Sequence, residues 1–175
     1  KTHNYRTQLP EALFKLIGTA KIITTLDLRK AYNQVPLQEN IRDKTAFWYR
    51  GRLLRWEKMP FGLKNAPAYF QALMDHTFQD CVDENGKSYV AIFLDDIAVF
   101  ADTPEQHLER LNHVLEVIEK HFGSNSIQAK KSIFAAQHVQ YLGHMLSAGG
   151  YITPQNAKVE AIRKISAPTS VSELK

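Results

Sequence analysis

Val90-Ala91-Ile92-Phe93-Leu94-Asp95-Asp96-Ile97-Ala98-Val99-Phe100 sets two adjacent aspartates in the middle of an apolar, strand-forming run. A core-seeking segment does not ordinarily carry carboxylates at its centre. Burying an unpaired one is expensive, so such groups end up paired, metal-bound or protonated. The apolar flanks predict two short buried strands with Asp95 and Asp96 at the bend between them. A hairpin of that kind holds two anions side by side, which suits divalent cations with hard oxygen ligands. An ordinary exposed turn is the competing reading, but turns also favour Gly, Asn and Pro, and the bend has none of them.

Working outward, Asp27 closes the run Ala20-Lys21-Ile22-Ile23-Thr24-Thr25-Leu26, which is rich in β-branched residues and therefore strand-like. Alone, Asp27 is either a ligand presented at the edge of a sheet or the N-cap of whatever follows. Together, the two strand-borne acid sites suit a two-metal centre with cations about 3.5–4 Å apart. Mg²⁺ takes few protein carboxylates and completes its octahedron with water and phosphate oxygens, so Asp27, Asp95 and Asp96 suffice. The reaction class is phosphoryl or nucleotidyl transfer.

With 175 residues, 44% hydrophobic and 23% charged, the chain can bury a core as one domain. No stretch approaches the roughly 20 apolar residues of a membrane span, and the basic, polar start lacks the apolar segment of a secretion signal. The lone Cys81 excludes an internal disulfide framework and a Cys-based zinc site, and reads as a core or helix-end residue. The seven His residues show no ligand spacing and read as surface or satisfied groups. Charge is uneven: residues 1–60 hold twelve Lys or Arg against five acids, whereas residues 61–175 hold ten against thirteen. A basic first third suits a polyanion, since such contacts release condensed counterions. Arg50, Arg52, Arg55 and Lys58 alternate with Trp48, Tyr49, Leu53, Leu54 and Trp56. That pattern is either a basic, partly aromatic surface for nucleic acid or an ordinary solvated hairpin.

The remaining elements follow from periodicity and punctuation. Leu9 to Ile17 predicts a short helix closed by Gly18. Strands are expected at 20–28, 43–50, 53–59, 127–135 and 138–146. Asn65 as N-cap and Pro67 in the first turn open a helix whose stripe is Ala66, Phe70, Leu73, Met74 and Phe78. Thr103-Pro104-Glu105-Gln106 is a capping box for a second helix, with Leu108, Leu111, Leu115, Ile118 and Phe122 inward and Gly123 ending it. After a Gly149-Gly150 turn, Thr153-Pro154 is expected to open a helix over 155–165. Ser170-Val171-Ser172-Glu173 starts another as the chain stops, so a piece of a longer protein is expected. This order fits an α+β sheet with helices on one face.

Four blocks carry a family resemblance. Leu26-Asp27-Leu28-Arg29-Lys30-Ala31-Tyr32-Asn33-Gln34 resembles motif A of reverse transcriptases. Met59-Pro60-Phe61-Gly62-Leu63-Lys64-Asn65-Ala66-Pro67-Ala68-Tyr69-Phe70-Gln71 resembles motif B. Phe93-Leu94-Asp95-Asp96 resembles motif C, and Tyr141-Leu142-Gly143-His144 the motif E primer grip. They stand in the family's order over almost the whole chain, in the manner of Ty3/gypsy-type long-terminal-repeat retrotransposons and related retroviruses. The resemblance implies a right-hand polymerase palm, an antiparallel sheet with helices on one face. Residues 1–34 would be palm with motif A, 35–65 partial fingers, 66–150 palm with motifs B to E, and 151–175 the start of the thumb or connection. It implies an RNA-directed DNA polymerase that adds dNTPs to a primer 3′-hydroxyl on an RNA or DNA template. The parent would be a retroelement pol polyprotein with RNase H and integrase domains. It would work inside the cell, in the cytoplasm, a virus-like particle or the nucleus, with no membrane partner and no secretion.

Residue by residue, the resemblance makes Asp27 and Asp95 the ligands bridging two Mg²⁺ ions (Mn²⁺ as substitute), with the Leu28 carbonyl joining the nucleotide-bearing ion. Asp96 is a weaker ligand or an electrostatic partner. The cations would lower the pKa of the primer hydroxyl, align it and neutralise charge on the α-phosphate. Tyr32 resembles the steric gate against a ribose 2′-hydroxyl; otherwise it is a half-buried core tyrosine. Phe61 and Gly62 match positions lining the nascent base pair. Retroviral enzymes often have Gln where Phe61 stands, so a side-chain hydrogen bond to the sugar is lost here. Asn65 and Gln71 are expected to order this region, with Gln71 grouped among nucleic-acid contacts beside Arg50, Arg52, Leu142, Gly143 and His144. The last three are a primer grip or a plain edge strand. Lys130 or Lys131 resembles the lysine that protonates the pyrophosphate; otherwise the two are a solvated pair. The family's basic fingertip residues would lie before Lys1. Two other functions compete: an RNA-dependent RNA polymerase, which tends to carry a second Asp where Tyr32 stands, and a non-catalytic nucleic-acid-binding module, which has no reason to keep three costly carboxylates.

Overall fold

The computed structural model describes residues 5, 8–154, 159–160 and 163–164. Pro10–Ile17 forms α1, with Pro in the first turn and Gly18 closing it at φ 58°. Ile22–Asp27 (β1) follows, then a 3₁₀ turn at Ala31–Gln34. Glu39–Arg42 (α2) leads into the segment expected as a strand over 43–50, which begins instead with a 3₁₀ turn at Asp43–Thr45 and keeps only Phe47–Tyr49 as β2, and the strand expected over 53–59 is the shorter Arg52–Leu54 (β3). Ala66–Thr77 is α3, Val90–Phe93 is β4 and Asp96–Ala101 is β5. Pro104–Phe122 is α4, opened as expected by Thr103, whose hydroxyl accepts from the Gln106 amide.

Residues 127–135 also resolve differently from one expected strand: a 3₁₀ turn at Ala129–Lys131 precedes Ile133–Ala136 (β6). The strand expected over 138–146 is a hairpin, His138–Tyr141 (β7) and His144–Ser147 (β8). Leu142 and Gly143 turn it with φ 47° and 75°, the left-handed pair that a tight two-residue turn requires. Tyr151–Pro154 (β9) pairs with β8, so Thr153 and Pro154 end a strand instead of opening a helix. The helix expected over 155–165 falls mostly outside the described residues, as do the Ser170–Glu173 capping box and most of the expected thumb.

The central sheet has the order β4-β5-β1-β6 and is antiparallel throughout. Period-two alternation sends its side chains to two cores. On one face Leu26, Ile97, Val99, Val90 and Ile92 pack with Phe70 and Met74 of α3 and Val114 and Ile118 of α4. Cys81 is fully buried in the same cluster, as expected. On the other face Ile23, Ala91, Ala98 and Phe100 meet Leu13, Phe14 and Ile17 of α1 and Val139, Tyr141 and Leu146 from the β7-β8-β9 sheet. The long helices do share one face, and the second sheet with α1 closes the other. His107 is not a surface group: it lies buried in α4 with Nε2 2.7 Å from the Thr24 hydroxyl and Nδ1 without a hydrogen-bond partner among the described residues. Burial pushes its pKa down. Among the described residues no helix is long and apolar enough to cross a membrane.

Candidate active site

Antiparallel pairing of β1 with β5 runs in unbroken register from Ile22 opposite Ala101 to Asp27 opposite Asp96. The two acids are therefore direct cross-strand neighbours, a few ångströms apart and on one side of the sheet. Asp95 sits one residue earlier in the two-residue turn Leu94-Asp95, because Phe93 pairs with Asp96 across it. The apolar flanks are buried as the sequence predicts, while both adjacent acids reach the surface at the strand ends. Like charges directly opposite on neighbouring strands are unfavourable. The strain registers on Asp96, whose carboxyl is held above the usual range by partial desolvation, then by Asp95 and Asp27.

The sign of that shift gives a stability prediction. A carboxyl whose folded pKa is raised destabilises the fold above that pKa, and the penalty fades as pH falls through it to the unfolded value. Asp96→Asn is therefore expected to raise the melting temperature at pH 7, and the gain should vanish at a pH below the ordinary 3.8 of an aspartate. Thermal melts of both proteins from pH 3 to 8 check this; a gain that persists at the acid end contradicts the charge-crowding account.

Asp27 separates two clefts. One, about 350 Å³, is lined by Asp27, Leu28, Tyr32, Phe61, Asp95 and Lys131 among others. The other, about 320 Å³, is lined by Asp27, Asp96, Lys131, Tyr141, Leu142 and Gly143 among others. Lys131 borders both, with Nζ 3.8 Å from Asp27 Oδ2, whereas Lys130 lines neither. The backbone of Asp27 is fixed from the 128–132 segment: its carbonyl accepts from the Gln128 amide at 2.9 Å and its amide donates to Ser132 Oγ at 3.3 Å. Asp27 is thus held as strand end and not as a helix N-cap.

Tyr32 is half-buried, with its ring 5.3 Å from Phe61 and 5.1 Å edge-on from the fully buried Phe70. Desolvation, then the charge of Asp95, pushes its phenol pKa up, so it stays neutral. Phe61 is 73% exposed, and Gly62 turns at φ 88° with open space where a Cβ would stand. Glycine is required there by conformation and not by crowding.

The other expected contact residues do not share one place. Gln71 is fully buried and has no surface for nucleic acid; its amide binds Ile92, Leu94 and Asp75. His144 packs edge-on against Phe14 at 5.0 Å, away from the cleft that Leu142 and Gly143 line. Arg50 caps the β2–β3 turn at φ 50° with its guanidinium 5.2 Å from the Tyr49 ring, and Arg52 pairs opposite Tyr49. Arg55, from the same basic run, is taken up by Asp43 at 2.6 Å and Glu39 at 2.5 Å. Asn65 stands at the N-cap position of α3, its carbonyl accepting from Tyr69. Tyr141, part of the motif E block but given no role of its own there, donates its buried hydroxyl to the Ala91 carbonyl at 3.0 Å and reaches the Asp96 carbonyl at 3.5 Å. Its place beside Leu142-Gly143 was the only signal available.

Among the described residues no three acidic, imidazole or thiol groups form a ready-made ligand cage. The donor set nevertheless fits Mg²⁺, which needs only one or two carboxylates and draws its other ligands from water and substrate phosphate.

The family described as "Reverse transcriptase (RNA-dependent DNA polymerase)" matches residues 2–146. The Pol polyprotein of transposon opus from Drosophila melanogaster is 36% identical over 159 residues, 91% of this chain and 15% of that protein. The genome polyprotein of Petunia vein clearing virus is 36% identical over 142 residues, 81% of this chain and 6% of its own length. The chain thus spans a small part of the curated relatives it matches. Among solved structures, the foamy viral protease-reverse transcriptase in complex with double-stranded DNA superposes with a TM-score of 0.86 at 22% identity, over 99% of this chain and 29% of that one. The same viral enzyme with an RNA/DNA hybrid gives 0.80 at 22% identity, over 99% and 22%. That likeness concerns the fold, and the match over residues 2–146 decides the family: the chain belongs to the reverse transcriptases.

Proposed function

We propose that this chain is the catalytic palm, with part of the fingers, of an RNA-directed DNA polymerase from a Ty3/gypsy-type retroelement Pol polyprotein. The observation that carries the reading is the register pairing Asp27 with Asp96, with Asp95 in the adjoining turn and a cleft on either side. The cleft with Tyr32, Phe61 and Asp95 has the lining to receive a dNTP. The cleft with Asp96, Tyr141, Leu142 and Gly143 has the lining to receive a primer terminus.

Asp27, Asp95, Asp96 and the Leu28 carbonyl would hold two Mg²⁺ ions, with Mn²⁺ as substitute. Bound there, the metals would acidify the primer hydroxyl and offset charge on the phosphates. The protein's own share is positioning. Asp27 is held by Gln128 and Ser132 between the clefts, so a hydroxyl on one side and an α-phosphate on the other approach one carboxylate. Tyr32 and Phe61 wall the sugar side of the nucleotide cleft. Leu142-Gly143 supports the primer strand, while Arg50 and Arg52 on the exposed hairpin meet template phosphates.

Lys131, poised at 3.8 Å from Asp27, is the residue to hand a proton to the leaving pyrophosphate or to neutralise it. Lys131→Ala is expected to slow nucleotide addition by about 100-fold, the lower end of the usual range for a positioned proton donor. Lys130→Ala should stay within about twofold of wild type. Single-turnover rates decide, and equal effects from both variants would assign the pair to general charge.

The function itself is tested by single-nucleotide extension of a DNA primer on an RNA template, with excess protein, Mg²⁺ or Mn²⁺, and dTTP set against UTP. Incorporation of dTTP that disappears in Asp95→Asn establishes the polymerase. Preference for UTP would favour the RNA-dependent RNA polymerase reading. Primer–template binding without extension, in a chain carried within its full Pol protein, would favour a non-catalytic nucleic-acid-binding module.

A further inference from the structure

We propose that Gln71, oriented by Asp75 and Tyr5, is a positioning residue that sets the hairpin turn carrying Asp95. The inference rests on the reading of Asp95 as a metal-holding carboxylate.

Gln71 is fully buried in α3, and both ends of its amide are engaged. Oε1 accepts from the Leu94 amide at 2.8 Å, while Nε2 donates to Asp75 Oδ1 at 2.8 Å and to the Ile92 carbonyl at 3.3 Å. Leu94 is the first turn residue and stands at φ 55°, a left-handed state that a leucine rarely adopts. Asp95 is the next residue. The bond from Gln71 therefore holds the one strained backbone unit on which the direction of Asp95 depends.

Asp75, together with the Ile92 carbonyl, decides which way the glutamine amide faces. A carboxylate only accepts, so the NH₂ end of Gln71 must turn to Asp75 and the carbonyl end to Leu94. The two side chains lie one helical turn apart, which brings them together on one face of α3. Asp75 is in turn fixed by Tyr5, whose hydroxyl donates to Oδ2 at 2.6 Å. A chain of polar contacts thus runs from Tyr5 through α3 to the turn, along the β4 edge of the sheet and outside both clefts that Asp27 lines. A side chain that only filled space in the core would require none of this polarity.

The test uses amide hydrogen exchange at Leu94, Mn²⁺ affinity and thermal melts on the same proteins. Gln71→Met keeps the volume but removes the acceptor. It is expected to weaken Leu94 protection and Mn²⁺ binding by about fivefold each, the size of one lost hydrogen bond. Asp75→Asn should act in the same direction and Tyr5→Phe less so. Gln71→Glu alone places two carboxylates in contact and should also weaken both readouts. Combined with Asp75→Asn it should recover them in part, because the new amide donates to the new carboxylate and leaves its second oxygen for Leu94, while the donor to the Ile92 carbonyl is not restored. Wild-type Mn²⁺ affinity in every variant, whatever happens to the melting temperature, overturns the proposal. So does failure of the double variant to recover while its melting temperature matches wild type. Absence of Mn²⁺ binding by the wild-type chain sinks the metal reading of Asp95 and the proposal with it.

Discussion

Asp95→Asn is expected to lower single-turnover nucleotide addition by at least about 10²–10³-fold, the loss that follows removal of one preorganised electrostatic group. Primer–template affinity should stay within about twofold, because Asp95 lines the cleft of Tyr32 and Phe61 and not the basic β2–β3 hairpin. Asn keeps the size and one carbonyl oxygen, so the turn at Leu94 has no steric reason to change. What is lost is charge. Rapid-quench rates and an equilibrium binding titration on the same protein separate the two effects. Parallel loss of rate and affinity would mean that the turn has collapsed. Retained rate would remove Asp95 from the metal site altogether. The contrast with Asp96→Asn is informative: that variant relieves crowding at neutral pH, so its melting temperature should rise while its rate falls. A stabilising change that costs activity is the mark of a carboxylate kept for chemistry.

The hairpin at 90–101 was legible because its code is local: apolar strands, two acids, and no residue able to hide them. The helices at 66–77 and 104–122 were legible for the same reason, through N-terminal punctuation and apolar stripes. What could not be read depends on contacts distant in sequence or on unusual backbone. Leu142 gives no hint that it will turn at φ 47°, so a hairpin reads as one strand. Arg55 looks like the other cations of its run until Glu39 and Asp43 fold back on it. Lys130 and Lys131 are equal in sequence, and only the 3₁₀ turn that carries them aims one at Asp27. Gln71 looks like a polar residue available to ligand, whereas its burial follows from where β4 and β5 meet α3.

The second large effect concerns sugar choice. Tyr32→Ala is expected to cut discrimination against ribonucleotides by about 10- to 200-fold, the range over which a packed wall distinguishes a small added group. The wall is rigid because Tyr32 leans on the buried Phe70 behind and the exposed Phe61 in front. Its phenol is kept neutral by desolvation and by Asp95, so no charge is offered to the incoming phosphates. Shape and not the hydroxyl should carry the effect, and Tyr32→Phe should discriminate like wild type. Phe61→Ala removes one of the two supports and should relax selectivity to a smaller extent than Tyr32→Ala. The measurement is the ratio of kcat/KM for dTTP and UTP in the three variants. An unchanged ratio in Tyr32→Ala would reduce Tyr32 to a packing residue. Loss of selectivity in Tyr32→Phe would shift the cause to the hydroxyl. Equal relaxation by Phe61→Ala and Tyr32→Ala would make the aromatic pair the gate, with neither ring sufficient without the other.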